Sequence, residues 1–380
     1  MAISRYSRYL GWIVAPLMVL AGLVLLMGSR RSPDFSTWYA IYIYPIFPRT
    51  VGWFWGLFPF SVFEILLLCS VLCLLIGVMS LFRRTGRAWL KAHAKILLCI
   101  PSAIFLGFVL TAGINYNRES YAYHIGINVQ DSSVDELVQL YLLLAERAVV
   151  LADQIKTDDN GHFLLNRDGI HEYARQSMRD LNNLYGGLHT YFPQAKAPTT
   201  SRLLLSNFNI AGFFSPWTME AHYNSDMPGQ SIPFVITHEL AHVAGHMRED
   251  EANFIAYLAS RNSAHIDFRY SAVYVALSYV LNALRGNINA ERYSELISLL
   301  PDQLLRDFAF ARAYWHQFEG PVADMATRAN DTYLRLNRQE DGVQSYGRMV
   351  DLLLAYYRSK ARENANSRGL FSIVSCLLYG

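Results

Sequence analysis

Three long apolar runs before residue 115 constrain this chain more than any other feature. They cover about residues 9–27, 61–82 and 96–114. Each is long enough, at ~1.5 Å rise per helical residue, to cross roughly 30 Å of hydrocarbon. The first is too long for a signal-peptide core and has no clear small-x-small cleavage site. Composition agrees: 52% of the 380 residues are hydrophobic and 17% charged, with mean hydropathy +0.14. A soluble globular chain carries more charge than this. Net charge is +2, from 33 basic and 31 acidic residues, and no like-charge block stands out. That argues against nucleic acid as a partner and for a lipid bilayer.

Residues 1–114 therefore form a membrane anchor of three transmembrane helices. Glu64, near the start of the second run, can reach the interface, so no proton relay is expected of it. The aromatic stretch Trp38–Phe60 suits the headgroup layer as a re-entrant or amphipathic segment. Arg5 and Arg8 in the tail, with Arg83, Arg84, Arg87, Lys91 and Lys95 between the second and third runs, place those segments in the cytoplasm. Residues 115–380 then fall outside a bacterial cytoplasmic membrane. Cys69, Cys73 and Cys99 lie in the apolar runs and Cys376 stands alone. The first three are read as packing residues, and no disulfide framework is expected.

The second half predicts a mainly α fold with a small β-sheet. Helices are expected over 131–151 (Ser133 capping, Glu136 three residues on), 167–185, 232–246, 249–261, 270–284, 290–300, 302–319, 321–336 and 346–364. Ser201–Asn207 is the best strand candidate, and Gly212–Asn224 offers a turn and a second strand. The apolar Leu370–Tyr379 is too short to span.

His238-Glu239-Leu240-Ala241-His242 carries the chemistry. Residues four apart share a helix face, so both imidazoles can grip one Zn2+. Glu239 can take a proton from a water that zinc has acidified. Composition alone would place such a motif roughly 0.01 times in a chain like this. An open catalytic zinc site needs a third protein ligand. His246, Glu249, Asp250 and Glu251 are available. Gly245 supplies the turn, after which Glu249 opens the next helix on a face shared with the small residues Ala252 and Ala256. Glu249 is the preferred ligand and Glu251 the alternative. Asn253, one turn beyond Glu249, can orient a ligand from behind.

Glu249-x-x-x-Asn253 after HExxH resembles the gluzincin arrangement, although the gap from His242 is very short. Gly245 matches the metzincin glycine, but Arg248 stands where that pattern needs histidine. A closer resemblance is to DUF3810, a family of bacterial membrane proteins of unassigned function. It rests on Ser215–Ala221 (SPWTMEA), on HELAH followed by Glu249–Phe254 (EDEANF), and on Asp341–Gly347 (DGVQSYG). The resemblance implies a membrane-anchored zinc peptidase with a zincin-like, mostly helical soluble domain.

Glu220, His222 and Asn224 alternate on the second strand candidate and are expected to help bind an extended peptide. Tyr346 and His316 are the candidate donors for a tetrahedral oxyanion. His124, His162, His171, His189 and His265 have no partner pattern and are expected to be structural. The expectation is a zinc-dependent peptidase acting on a peptide or protein. Its rivals are a non-catalytic receptor or scaffold, whose zinc site is closed by His246 or Asp250, and an intramembrane protease. The last fits poorly, because HELAH lies far from the apolar runs.

Overall fold

The apolar runs dictate the first elements of the computed structural model, which describes residues 3–81, 86–188 and 191–367. Arg83, Arg84, His189, Cys376 and Leu370–Tyr379 lie outside the described residues, as do the side chains of Arg5, Arg8, Arg87, Lys91 and Lys95. Helix α1 covers Ile3–Arg31 and α2 Pro33–Tyr42; the short α3 (Trp53–Gly56) precedes α4 (Val62–Leu81) and α5 (Gly86–Phe108). Among the described residues, three stretches are long and apolar enough to cross a membrane: Trp12–Arg31, Val62–Met79 and Ile96–Asn117. Their outward faces are bare hydrocarbon, with Leu20, Val24, Leu74 and Ile100 about half exposed. Such surface is tolerated in lipid and costly in water. These features are those of a membrane protein.

The third run differs from expectation at its far end. After Phe108 it widens into a π-helical turn, Val109–Gly113, where Val109, Thr111 and Ala112 are buried. The aromatic stretch between the first two runs sorts its rings. Tyr39 and Tyr44 turn inward, while Trp38, Tyr42, Trp53 and Phe54 stay exposed.

Helical periodicity then builds the body. Helix α6 is Tyr121–His124, α7 Val134–Ala152 and α8 Ile170–Tyr185; α9 is Ile232–Val243, α10 Glu249–Arg261 and α11 Ile266–Arg285. They are followed by α12 (Ala290–Ile297), α13 (Asp302–His316), α14 (Pro321–Leu336) and α15 (Met349–Ser367). Ser133 caps α7 in a capping box with Glu136. Helix α8 stops at Gly186, whose φ of +73° a side chain would resist. Helices α9, α10 and α11 pack on one another, α7 lies on α11, α8 on α9 and α10, and α15 on α10 and α11. Helix α10 is buried on all sides apart from Asp250 and Arg261. Each large apolar side chain it buries, Phe254 for example, contributes about 1.5–3 kcal/mol.

The sheet corrects one expectation. Both strands come from the second candidate: β1 (Gly212–Ser215) pairs antiparallel with β2 (Glu220–Tyr223). Ser201–Asn207 is no strand; Ser201–Ser206 is a π-helical turn. Its apolar Leu-Leu-Leu lacked a ladder to join. The far edge of β2 is taken by Lys196, which donates its N–H to Ala221 and accepts from the Tyr223 N–H. Just upstream, the N–H groups of Thr199 and Thr200 donate to the Glu64 carboxylate. Glu64 is thus buried at the start of α4 and bonded to this loop.

Candidate metal centre

Helix α9 places His238 and His242 one turn apart on one face, and Pro233 sits in its first turn, where no N–H is missed. Its end is a Schellman motif: the His246 N–H donates to Ala241 O and the Gly245 N–H to His242 O. That motif requires a left-handed residue, and Gly245 has φ +86°. A side chain there would also press on the Tyr44 ring. The Tyr44 hydroxyl in turn donates to the carbonyls of His242 and Val243, at 3.2 and 3.0 Å. Four residues after Gly245 the chain re-enters a helix, and Glu249 is its first residue.

The short link folds Glu249 back onto the histidines. Glu249 Oε2 lies 3.1 Å from His238 Nε2 and 3.5 Å from His242 Nε2. The two Nε2 atoms are 3.1 Å apart. A tetrahedral zinc with bonds near 2.0–2.1 Å spaces its ligands roughly 3.3 Å apart, so these side chains could hold one with little movement. Behind them, His238 Nδ1 donates to Asn253 Oδ1 at 2.8 Å and His242 Nδ1 donates to His246 O at 2.7 Å. Both contacts turn Nε2 inward and fix the ring planes. Among the described residues, these three form the one group of His, Cys, Asp or Glu side chains disposed to hold a metal.

The electrostatics favour a cation. Burial opposes ionisation of Glu249, but the His242 and His238 rings outweigh it and hold that carboxyl well below its usual range. Burial also opposes a charged His242, and the Glu249 carboxylate reverses the balance, raising it to about 9. His238 is pulled down by burial. Glu239 is pushed up to about 8, chiefly by burial. Its Oε2 is buried with no hydrogen-bond partner. A buried carboxylate is rarely left so, and this one borders the cavity.

That cavity measures about 690 Å³ and is lined by His238, Glu239, His242 and Glu249 on one side, by β1 on a second, and by α13 and α14 across from them. Gly212 opens β1 directly over Glu239. A Cβ there would stand 2.6 Å from Glu239 Oε1 and 2.6 Å from Val235 Cγ1, so only glycine lets the strand pass. Tyr346 lines the cavity, its ring stacked with His238 at 6.4 Å between centroids. Burial, with Glu249 adding to it, keeps its hydroxyl protonated. Tyr279 lines the wall behind Asn253, whose Nδ2 donates to its hydroxyl.

Several expected residues stand elsewhere. Glu251 pairs with Arg248 and accepts from His246 Nδ1 at 3.3 Å, so its carboxylate is committed outside the cluster. His246 is fully buried against Glu251 and the Gly187 carbonyl, and Asp250 accepts from the Glu251 N–H. Neither joins His238 and His242. His316 is exposed, pairs with Glu319 and does not line the cavity. Glu220, His222 and Asn224 are buried and line no part of it. Glu220 accepts from the N–H groups of Val62 and Phe63 and from Lys196 Nζ; His222 Nε2 meets Ser61 Oγ at 2.8 Å; Asn224 donates to Ser206. Alternation on β2 was legible, but its polar face packs on the start of α4. The missed residues are Gly212 and Tyr44. A glycine opening a strand is a signal for close approach, whereas nothing local to Tyr44 announces a contact two hundred residues away.

A mainly helical protein with three apolar stretches long enough to cross a membrane and a buried two-histidine, two-glutamate cluster is the class this arrangement defines. The family model described as "Protein of unknown function (DUF3810)" matches residues 39–354, and the chain belongs to that family. No curated protein and no solved structure gives a significant match.

Proposed function

We propose that this chain is a zinc-dependent peptidase tethered to the membrane by three spans. The observation that carries the reading is the spacing of His238, His242 and Glu249 beside an unpartnered Glu239 in one cavity. Zinc held by those three side chains would supply Lewis acidity, polarising a scissile carbonyl and acidifying a water. Glu239 takes the proton of the attacking water and passes it to the amine nitrogen as the C–N bond breaks. The Tyr346 hydroxyl would donate to the carbonyl oxygen as it gains negative charge.

An extended substrate would lie along the free edge of β1. Ala211, Phe213 and Ser215 occupy the hydrogen-bonded positions toward β2, because Asn224 donates to Ala211 O and the ladder alternates from there. Gly212 and Phe214 thereby keep their N–H and C=O for a peptide. By the charge of the connecting segments, the helical body lies on the extracytoplasmic side of a bacterial cytoplasmic membrane.

The test is Glu239→Gln in the detergent-purified full chain, with zinc content and hydrolysis of a peptide library read together. Retained zinc with no hydrolysis is expected. An active Gln variant overturns the mechanism, and a wild type that takes up no zinc returns the site to a scaffold role.

A further inference from the structure

The cavity floor is built by the third apolar stretch, so HELAH does not lie away from the apolar runs as the sequence led one to expect. Ala112 and Tyr116 line it, and both belong to the third apolar stretch, Ile96–Asn117. A Cβ on the neighbouring Gly113 would stand 3.6 Å from Leu26 Cδ1. Leu26 belongs to the first apolar stretch, whose next residue, Met27, is an exposed apolar side chain. The floor of the cavity is therefore level with the outer end of the first span.

The hairpin fixes a second level. Trp217, in the β1–β2 turn, donates its ring N–H to Ile104 O at 3.1 Å. It also stacks on Phe63 at 6.3 Å between centroids, with the rings 7° from parallel. Phe63 is the second residue of α4, so Trp217 marks the outer end of the second span. Pro216, adjacent to it, lines the cavity. From Trp217 back to Gly212, which covers Glu239, is at most about 17 Å of extended chain. From Ile104 up to Ala112 is about 12 Å of helix. Measured from either mark, the reactive groups stand only a few residues above the hydrocarbon. Trp38, Tyr42, Trp53 and Phe54, which suit the headgroup layer, are exposed on the segment that joins the first two spans.

We infer that the substrate is a membrane-anchored polypeptide, cut within about five extended residues of the bilayer surface. This rests on the peptidase reading above. A chain emerging from the bilayer would pass the Trp217 turn, run along β1 and meet Glu239 without first leaving the membrane surface. The anchor is then a ruler as well as a tether. It holds the β1 edge at a set height, and the cut is chosen by height before sequence.

The test uses the zinc-loaded full chain in phosphatidylethanolamine–phosphatidylglycerol vesicles. The substrates are single-span test polypeptides in which one repeated sequence begins at the bilayer and extends about 20 residues. Mass spectrometry locates the cuts. The expected result is cleavage confined to about the first five positions, at least ~10-fold faster than on the same repeat without its span. Moving the repeat outward by a spacer of about four residues should leave the cut at the same height. The Glu239→Gln chain supplies a readout independent of turnover: a photoreactive residue at about the fifth position should crosslink to it, and one at about the fifteenth should not. Cuts spread along the repeat, or a free repeat cut as fast as the anchored one, overturn the ruler and leave the peptidase reading standing. No cleavage of either form with zinc bound overturns the peptidase reading, and the ruler with it.

Discussion

Around Glu220 and Glu64, buried carboxylates are saturated; around Glu239, one is left wanting. Glu220 receives Lys196 Nζ at 2.5 Å and two backbone N–H groups from the first turn of α4. Glu64 receives the N–H and hydroxyl groups of Thr199 and Thr200. Both carboxylates tie the start of α4 to the rest of the fold. At the candidate metal centre, Glu239 Oε2 has no partner and two imidazoles and a carboxylate crowd one point. Burial alone does not separate the two clusters, since all these groups are nearly inaccessible. Satisfaction does: a polar group buried without a partner costs stability, and a fold keeps that cost where a ligand or a reaction uses the group.

The sharpest way to break the comparison is to remove one carboxylate from each cluster. Glu249→Ala should abolish the bound metal, from about one zinc per chain to near none, while the chain stays folded. Glu251→Ala should keep the metal. Metal analysis beside circular dichroism checks both, and zinc lost only in the Glu251 variant would reverse the assignment. Glu220→Ala should do the opposite. It strands Lys196, and breaking a buried pair costs about 3–5 kcal/mol. Its thermal midpoint in detergent should fall markedly while the surviving folded fraction keeps zinc.

A smaller effect follows from His222, held neutral down to about 4 because burial outweighs the pull of Glu220. An unfolded chain protonates that ring below about 6.5, and the folded chain does so only near 4. Stability present above about 6.5 is therefore lost as pH falls through that window, by on the order of 3 kcal/mol. A His222→Gln chain should lack that part of the slope when melting is followed against pH. An unchanged slope would mean the ring is not the titrating group. The smallest effect is at Asn253. Asn253→Ala frees the His238 ring, and zinc affinity should drop about 10–100-fold with little change in melting. Competition with a fluorescent chelator measures it.

Much of this was legible because it is local. Apolar length gives the spans, the Ser133–Glu136 capping box gives the start of α7, and HELAH with Gly245 gives a helix, its stop and two inward rings. Even Glu249 over Glu251 could be argued from the small residues on its helix face. The Ser201–Asn207 strand failed because a strand needs an edge to join, and Lys196 had taken it. Glu220 and His222 failed because alternation tells which residues share a face, not what covers that face.

The sequence by itself determined the spans, the helices and the pair of histidines, since each depends on neighbours within a few turns. Only the tertiary structure decided that Glu249 closes on them, that Gly212 must be bare above Glu239, and that the polar face of β2 belongs to the anchor. Those outcomes depend on atoms far apart in the chain competing for one small space. Close packing and the cost of unpaired polar groups settle that competition, and no local pattern records the result.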